Sequence, residues 1–310
     1  MEPSGREART VGILGTGWVG SSVAISLLHG GVASELLLCD TRTEVAEGEA
    51  MDLAQGAAFY PTASVRAVPF EELLAADALV LAAGRGGKPE ESRLALLRDN
   101  AGTMRGIGER LRGYPGVVIV VTNPVDVLTS VVADSSGLDP ARVIGTGTLL
   151  DTARLRQAIG AELRIDPHSV HAHVVGEHGD SEVVLWSTAQ VGGRPLRQWP
   201  GWNADRERRI AERVRRAAYE IIRRKGATNH AVGLVTASLL REVLRGERRI
   251  ETVSRVQRGA LGLHGVALSL PCVVDTGGAV EIIAPELAPE ERTALERSAD
   301  VLREALRTLE

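Results

Sequence analysis

The run Gly15-Thr16-Gly17-Trp18-Val19-Gly20 constrains this chain more than any other segment. It lies between a short apolar strand, Val11-Gly12-Ile13-Leu14, and a stretch with helical periodicity over residues 19–28. Glycines at that spacing permit a tight strand-to-helix turn and let backbone N–H groups approach an anion at the positive end of the helix. Further strand-like apolar runs follow at residues 36–39, 78–82, 117–121 and 143–144, separated by helical stretches such as 93–111. That alternation predicts a parallel sheet covered by helices on both faces.

Past residue 146 the pattern changes to a helix from Leu150, strand-like segments at 169–175 and 183–186, a long helix over 205–224 and a hairpin-like region. The chain closes with an amphipathic helix carrying Leu295, Ala299, Leu302, Leu306 and Leu309 at steps of three and four. The expected class is therefore α/β: a flexible tail over 1–10, a Rossmann-type doubly wound parallel sheet over 11–145, and an α+β catalytic domain over 146–310. In that setting the glycine run is a dinucleotide fingerprint, with Gly15, Thr16, Gly17, Trp18, Val19 and Gly20 around a pyrophosphate. Asp40, twenty positions after Gly20, ends the second strand where a carboxylate accepts hydrogen bonds from the adenosine ribose and repels a 2′-phosphate. NAD is favoured over NADP, although Arg42 nearby is a residue that could accommodate that phosphate.

With 44% hydrophobic and 25% charged residues the chain can bury a real core, which excludes global disorder. The net charge of -4, with basic residues scattered along helices, argues against a nucleic-acid partner. No stretch approaches the roughly 20 apolar residues of a membrane span, and the first residues lack a secretory apolar core, so a cytoplasmic location is expected. Cys39 and Cys272, each inside an apolar run, read as reduced buried thiols. His168, His171 and His173 lie at strand spacing but lack a supporting carboxylate or cysteine, so no metal is expected.

Four segments carry the chemistry: Gly176-Glu177-His178-Gly179-Asp180, Leu150-Asp151-Thr152-Ala153-Arg154, Thr122-Asn123-Pro124-Val125-Asp126 and Glu91-Ser92-Arg93-Leu94. Together, and in this order along the chain, they resemble the lactate/malate dehydrogenase family, leaning toward its lactate branch. The resemblance implies reversible hydride transfer between NADH and pyruvate, giving (S)-lactate, as a step of glycolytic fermentation. It implies His178 as acid/base, Asp151 as the partner of its other ring nitrogen, and Arg154 as a planar fork for the substrate carboxylate. Arg93, on a mobile glycine-rich loop over 84–91, would polarise the carbonyl, while Asn123 would sit near nicotinamide and substrate. Gly84, Thr122 and Val232 would line the cofactor site, and Thr228 would narrow the substrate pocket.

Gly87 aligns with the family's substrate-discriminating position, where lactate enzymes typically carry glutamine and malate enzymes arginine. Glycine removes the obvious partner for a second carboxylate and enlarges the pocket, leaving malate or a larger aliphatic 2-hydroxy acid as the alternatives. Arg156, about 200° round the helix from Arg154, and His171 match an allosteric site that binds fructose 1,6-bisphosphate in bacterial relatives. The resemblance also implies a homotetramer. A non-catalytic NAD-binding protein would have lost a catalytic group, and all four are present. An NAD-dependent glycosidase would want a metal-binding Cys–His arrangement that the two isolated cysteines do not suggest.

Overall fold

The computed structural model describes residues 9–86 and 93–309, with the side chain of Arg93 outside that description. The first half alternates strand and helix. β1 (Thr10–Leu14), α1 (Trp18–His29), β2 (Glu35–Cys39), α2 (Thr43–Gln55), β3 (Ser64–Ala67), α3 (Phe70–Leu73) and β4 (Ala78–Leu81) come first. α4 (Arg93–Arg110), β5 (Val117–Val120), α5 (Val125–Ser136) and β6 (Val143–Gly145) complete it. These six strands pair in parallel in the order β6-β5-β4-β1-β2-β3. β4 and β5 are buried at every residue, because helices cover both faces, whereas the edge strand β3 has alternating exposure. Val11, Ile13, Leu36, Leu38 and Val80 pack on one face, and Leu37, Leu79, Leu81, Val118 and Val120 on the other.

The second half holds α6 (Leu149–Leu163), β7 (Val170–His171), β8 (Val174–Val175), β9 (Val183–Val184), β10 (Gln190–Val191) and β11 (Arg194–Pro195). α7 (Ala204–Lys225), α8 (His230–Arg245), β12 (Arg249–Arg258), β13 (His264–Asp275), β14 (Gly278–Ile282) and α9 (Pro289–Arg307) follow. Two expectations change here. The apolar run 169–175 is not one strand: a short 3₁₀ turn at Pro167–Ser169 precedes β7, and β7 and β8 join different small sheets. The antiparallel meander β12-β13-β14 does not build a separate sheet but extends the first one to nine strands. Its junction is narrow, a single pairing of Ser254 in β12 with Gly145 in β6. Thr10, assigned to the tail by sequence, opens β1 opposite Glu35.

The long helices follow their amphipathic patterns. α9 buries Leu295, Ala299 and Leu302. α7 is capped by the Asn203 side chain, which accepts from Arg206 N–H, and ends at Gly226 in the left-handed conformation. Both cysteines are buried and unpaired. No helix among the described residues is long and apolar enough to cross a membrane.

Candidate active site

The glycine turn is shaped by close approaches. Gly15 has φ of +97°, and a Cβ there would lie 2.6 Å from the backbone of Ala83, so only glycine fits. A Cβ on Gly20 would strike the Gly15 carbonyl, which lets α1 press against the turn. Gly17 differs: a Cβ there would meet no protein atom within 4 Å, so its bare backbone faces open space at the head of α1. That space belongs to a cleft of about 970 Å³ whose walls include Gly15, Gly17, Asp40, Gly84 and Phe70. The fit to a dinucleotide is good, with an anion cradle at one point and a carboxylate beside it.

Asp40 is locked in place. Its Oδ2 accepts from Thr16 N–H at 2.9 Å and from the Thr16 hydroxyl, and its Oδ1 from Arg42 N–H at 3.0 Å. Burial pushes its pKa up, but these bonds, reinforced by the Arg42 charge, outweigh burial and hold the carboxyl below the usual range. Arg42 pairs with the same carboxylate at 3.7 Å. Thr122 donates its hydroxyl to Ala83 O at 2.7 Å, and its methyl closes over Gly84. Asn123 precedes a cis peptide to Pro124, and its Oδ1 accepts from Val125 N–H at 3.2 Å at the head of α5.

α6 is stapled by buried hydroxyls. Thr148 N–H donates to Ser269 Oγ at 2.9 Å, its hydroxyl to Val174 O at 2.6 Å, and Thr152 meets Thr252 at 2.9 Å. The approach depends on Gly147 (φ +48°), where a Cβ would lie 2.1 Å from Ser269 Oγ. Asp151 therefore sits in a fixed first turn of α6 with its side chain only 4% exposed. Its Oδ2 meets His178 Nδ1 at 2.5 Å, and its Oδ1 accepts from Arg154 Nη1 at 2.7 Å. One carboxylate thus orients both an imidazole and a guanidinium.

The loop that carries His178 is held from three sides. Gly176 exchanges two backbone hydrogen bonds with Ser269 in β13, Glu177 N–H donates to Ser298 Oγ in α9, and His178 N–H donates to Asp126 Oδ2 in α5 at 2.7 Å. Burial alone would lower the His178 pKa, but the Asp151 carboxylate overrides it and lifts the ring to about 9. In turn the His178 and Arg154 charges outweigh burial and hold Asp151 below its ordinary value. Near neutral pH the ring carries a proton, and its remaining nitrogen is free to donate it.

The sequence-expected residues divide clearly. Asp151, Arg154 and His178 converge, while Asp40 and the glycines line a cleft beyond the carboxyl ends of β1, β2 and β4. Thr228 lies in the loop between α7 and α8, and Val232 packs partly buried in the first turn of α8, where Gly233 lets that helix touch Ser22 of α1. Gly87 and the Arg93 side chain lie outside the described residues. Arg156 points away from Arg154, donating to Ala172 O at 3.1 Å, and His171 is exposed on β7. Between their influences lies half-buried His173, which burial and both neighbours' charges push down to about 4. Among the described residues no group of three His, Cys, Asp or Glu could hold a metal ion.

Two acids were not singled out by sequence. Glu182 is 6% exposed, and burial, aided by the Asp151 charge, raises it to about 8. Asp126 is 2% exposed, and burial raises it to about 6. Asp126 belongs to one of the four quoted segments, but only the fold reveals that it faces His178.

Comparison with known proteins matches this geometry to one family. Residues 9–145 match the family described as lactate/malate dehydrogenase, NAD binding domain, and residues 148–310 its alpha/beta C-terminal domain. The chain is 44% identical over 306 residues to an L-lactate dehydrogenase of Salinibacter ruber, covering 96% of this chain and 97% of that protein. It is 39% identical over 309 residues to L-lactate dehydrogenase 2 of Lactococcus lactis subsp. lactis, covering 97% and 98%. The ligand-bound crystal structure of minor L-lactate dehydrogenase from Enterococcus mundtii superposes with a TM-score of 0.95 at 39% identity, covering 98% of this chain and 99% of that one.

Proposed function

The chain belongs to the lactate/malate dehydrogenase family, and from that premise we propose that it is an L-lactate dehydrogenase interconverting pyruvate and (S)-lactate with NAD as cofactor. The observation that carries the reading is the shared carboxylate: Asp151 holds His178 Nδ1 at 2.5 Å with one oxygen and Arg154 Nη1 at 2.7 Å with the other. The cofactor-binding half spans 10–145 and the substrate half 146–310. Gly15, Gly17, Gly20, Asp40, Gly84, Thr122 and Val232 would hold the cofactor, whose reduced form, NADH, would supply a hydride to C2 of the keto acid. Arg154 receives the substrate carboxylate in two parallel hydrogen bonds, which fixes the carbonyl relative to the imidazole. His178 then gives its proton to the carbonyl oxygen, and Asp151 steadies the ring in both protonation states. In lactate oxidation the neutral ring removes the hydroxyl proton. Arg93 beside the carbonyl, Asn123 near the substrate oxygen, and Gly87 and Thr228 around the substrate side chain complete the assignment.

Pyruvate, oxaloacetate, 2-ketobutyrate and 2-ketoisocaproate, each assayed with NADH and NADPH, test the reading together. Pyruvate with NADH is expected to give the highest kcat/KM. NADPH is expected to be disfavoured on the order of 10²-fold, because the half-buried Asp40 charge would face a phosphate. Oxaloacetate ahead of pyruvate would reject lactate as the product, and a longer keto acid ahead of it would assign the pocket opened by Gly87.

Fructose 1,6-bisphosphate is proposed as an activator at Arg156 and His171, in a homotetramer in the cytoplasm. The support is local: Arg156, His171 and Arg249 place basic groups around one region, with Glu251 the acid that most offsets Arg156. Added fructose bisphosphate is expected to lower the pyruvate KM by about 5–150-fold. An unchanged KM rejects the activator, and sedimentation as a monomer or dimer rejects the tetramer.

A further inference from the structure

His178 lies between two buried carboxylates, and only one of them touches its ring. The other, Asp126, stands in the first turn of α5 and accepts the His178 backbone N–H at 2.7 Å through Oδ2. Its Oδ1 is buried without a well-formed hydrogen bond among the described residues, with the Ser254 hydroxyl of β12 as the group that most offsets its burial. A strut alone would not need a charge, because an amide oxygen would accept the same N–H. The charge itself is the costly feature of a site this dry.

The pattern of charges gives that anion a task. Asp151 divides its field between the imidazole and Arg154, and the Arg154 cation acts directly against protonation of the ring. No salt bridge among the described residues draws on Asp126, and its field adds to that of Asp151 at the imidazole. With the ring protonated, two anions, Asp126 and Asp151, face two cations, His178 and Arg154. Glu177 lies on the same loop, Glu182 precedes β9, and Arg215 faces Glu182 from α7. Burial holds Glu182 toward its neutral form, so it adds little negative charge near neutral pH.

We propose that Asp126 is a positioning residue whose carboxylate both fixes the main chain of His178 and, as an anion, keeps the imidazole protonated against the opposing charge of Arg154. The inference rests on the reading of His178 as the acid/base. Asp126 is anionic above a pKa that burial raises to about 6, and the ring holds its proton up to about 9, so the device operates between those limits.

The experiment is an NMR titration of the histidine ring carbons in the protein without cofactor or substrate, with His178 assigned by loss of its signal in H178Q. Asp126→Asn keeps an acceptor for the backbone N–H and removes the charge, so the His178 midpoint is expected to fall by about one pH unit. The alkaline limb of kcat/KM for pyruvate is expected to move by the same amount. A folded D126N protein whose midpoint moves by less than about 0.3 unit overturns the proposal, because Asp126 would then be a strut only. Should D126N fail to fold, the unmodified protein decides. Its His178 signal is expected to show a second, smaller inflection near pH 6, and a titration without one overturns the coupling. A shifted ring midpoint with an unmoved activity limb would leave the coupling standing and reject His178 as the acid/base, so the two failures are distinct.

Discussion

Replacing His178 with alanine is expected to lower kcat for pyruvate reduction by about 10²–10⁴-fold, the range for loss of a positioned general acid. The ring is the proton carrier in this site, and its pKa of about 9 keeps it charged through neutral pH. With the ring gone, Asp151 stays paired to Arg154, so the substrate anchor survives while the donor does not. NADH affinity, read by fluorescence titration, is expected to change little, because the cleft beside Gly15, Gly17 and Asp40 is built on β1, β2 and β4 and shares no wall with residue 178. The pH profile provides the sign. Reduction by the unmodified protein requires the protonated ring and falls as pH rises through about 9; oxidation requires the neutral ring and rises over the same interval. The alanine variant is expected to lose both limbs. A loss below tenfold, or an unchanged alkaline limb, would remove His178 from the chemistry.

Arg154→Lys is expected to reduce kcat/KM for pyruvate by about 3–5 kcal/mol of transition-state binding, on the order of 10²–10⁴-fold, even though the charge is kept. A guanidinium can hold a carboxylate with two parallel bonds while a third N–H rests on Asp151; an ammonium on a flexible stem cannot do both. The Arg154 side chain is 15% exposed, so water offers little compensation for a lost contact. The loss is expected in KM and kcat together, because the anchor also aims the carbonyl at His178. Steady-state kinetics check it, and a KM within threefold of the unmodified value would place the substrate carboxylate elsewhere.

Much of the first half was legible because its signals are local. A buried parallel strand reads as an unbroken apolar run, and Gly20 is required by a contact within the turn itself, with the Gly15 carbonyl, although the backbone of Ala83 that requires Gly15 lies far along the chain. The helices from Leu149 and Ala204 likewise begin within one residue of their periodic patterns. What was not legible depends on partners far along the chain. Periodicity cannot tell that β12 pairs with β6 across more than a hundred residues, nor that the run 169–175 breaks so that its two ends serve different sheets. In the site, Asp151, Arg154 and His178 were found through recognisable segments. The bond from His178 to Asp126 spans 52 positions and leaves no periodic trace. Glu182 followed an expected residue closely but drew no attention, since its raised pKa comes from burial that only the packed loop creates.

The narrow junction at Gly145 and Ser254 has a mechanical meaning. Where the two halves of the sheet meet, the ladder contributes one rung, so their alignment depends on cross-links placed elsewhere. One of those cross-links lies at the imidazole: Asp126 from before the seam grips a loop from after it, which Ser269 and Ser298 hold within its own half. The reaction centre is therefore also one of the fastenings between the halves, alongside the packing of α1 on α8 and of α5 on β12 and β13. Substitutions that loosen it unfasten the halves along this line, and those that tighten it make the protein harder to melt and slower to flex in the same stroke.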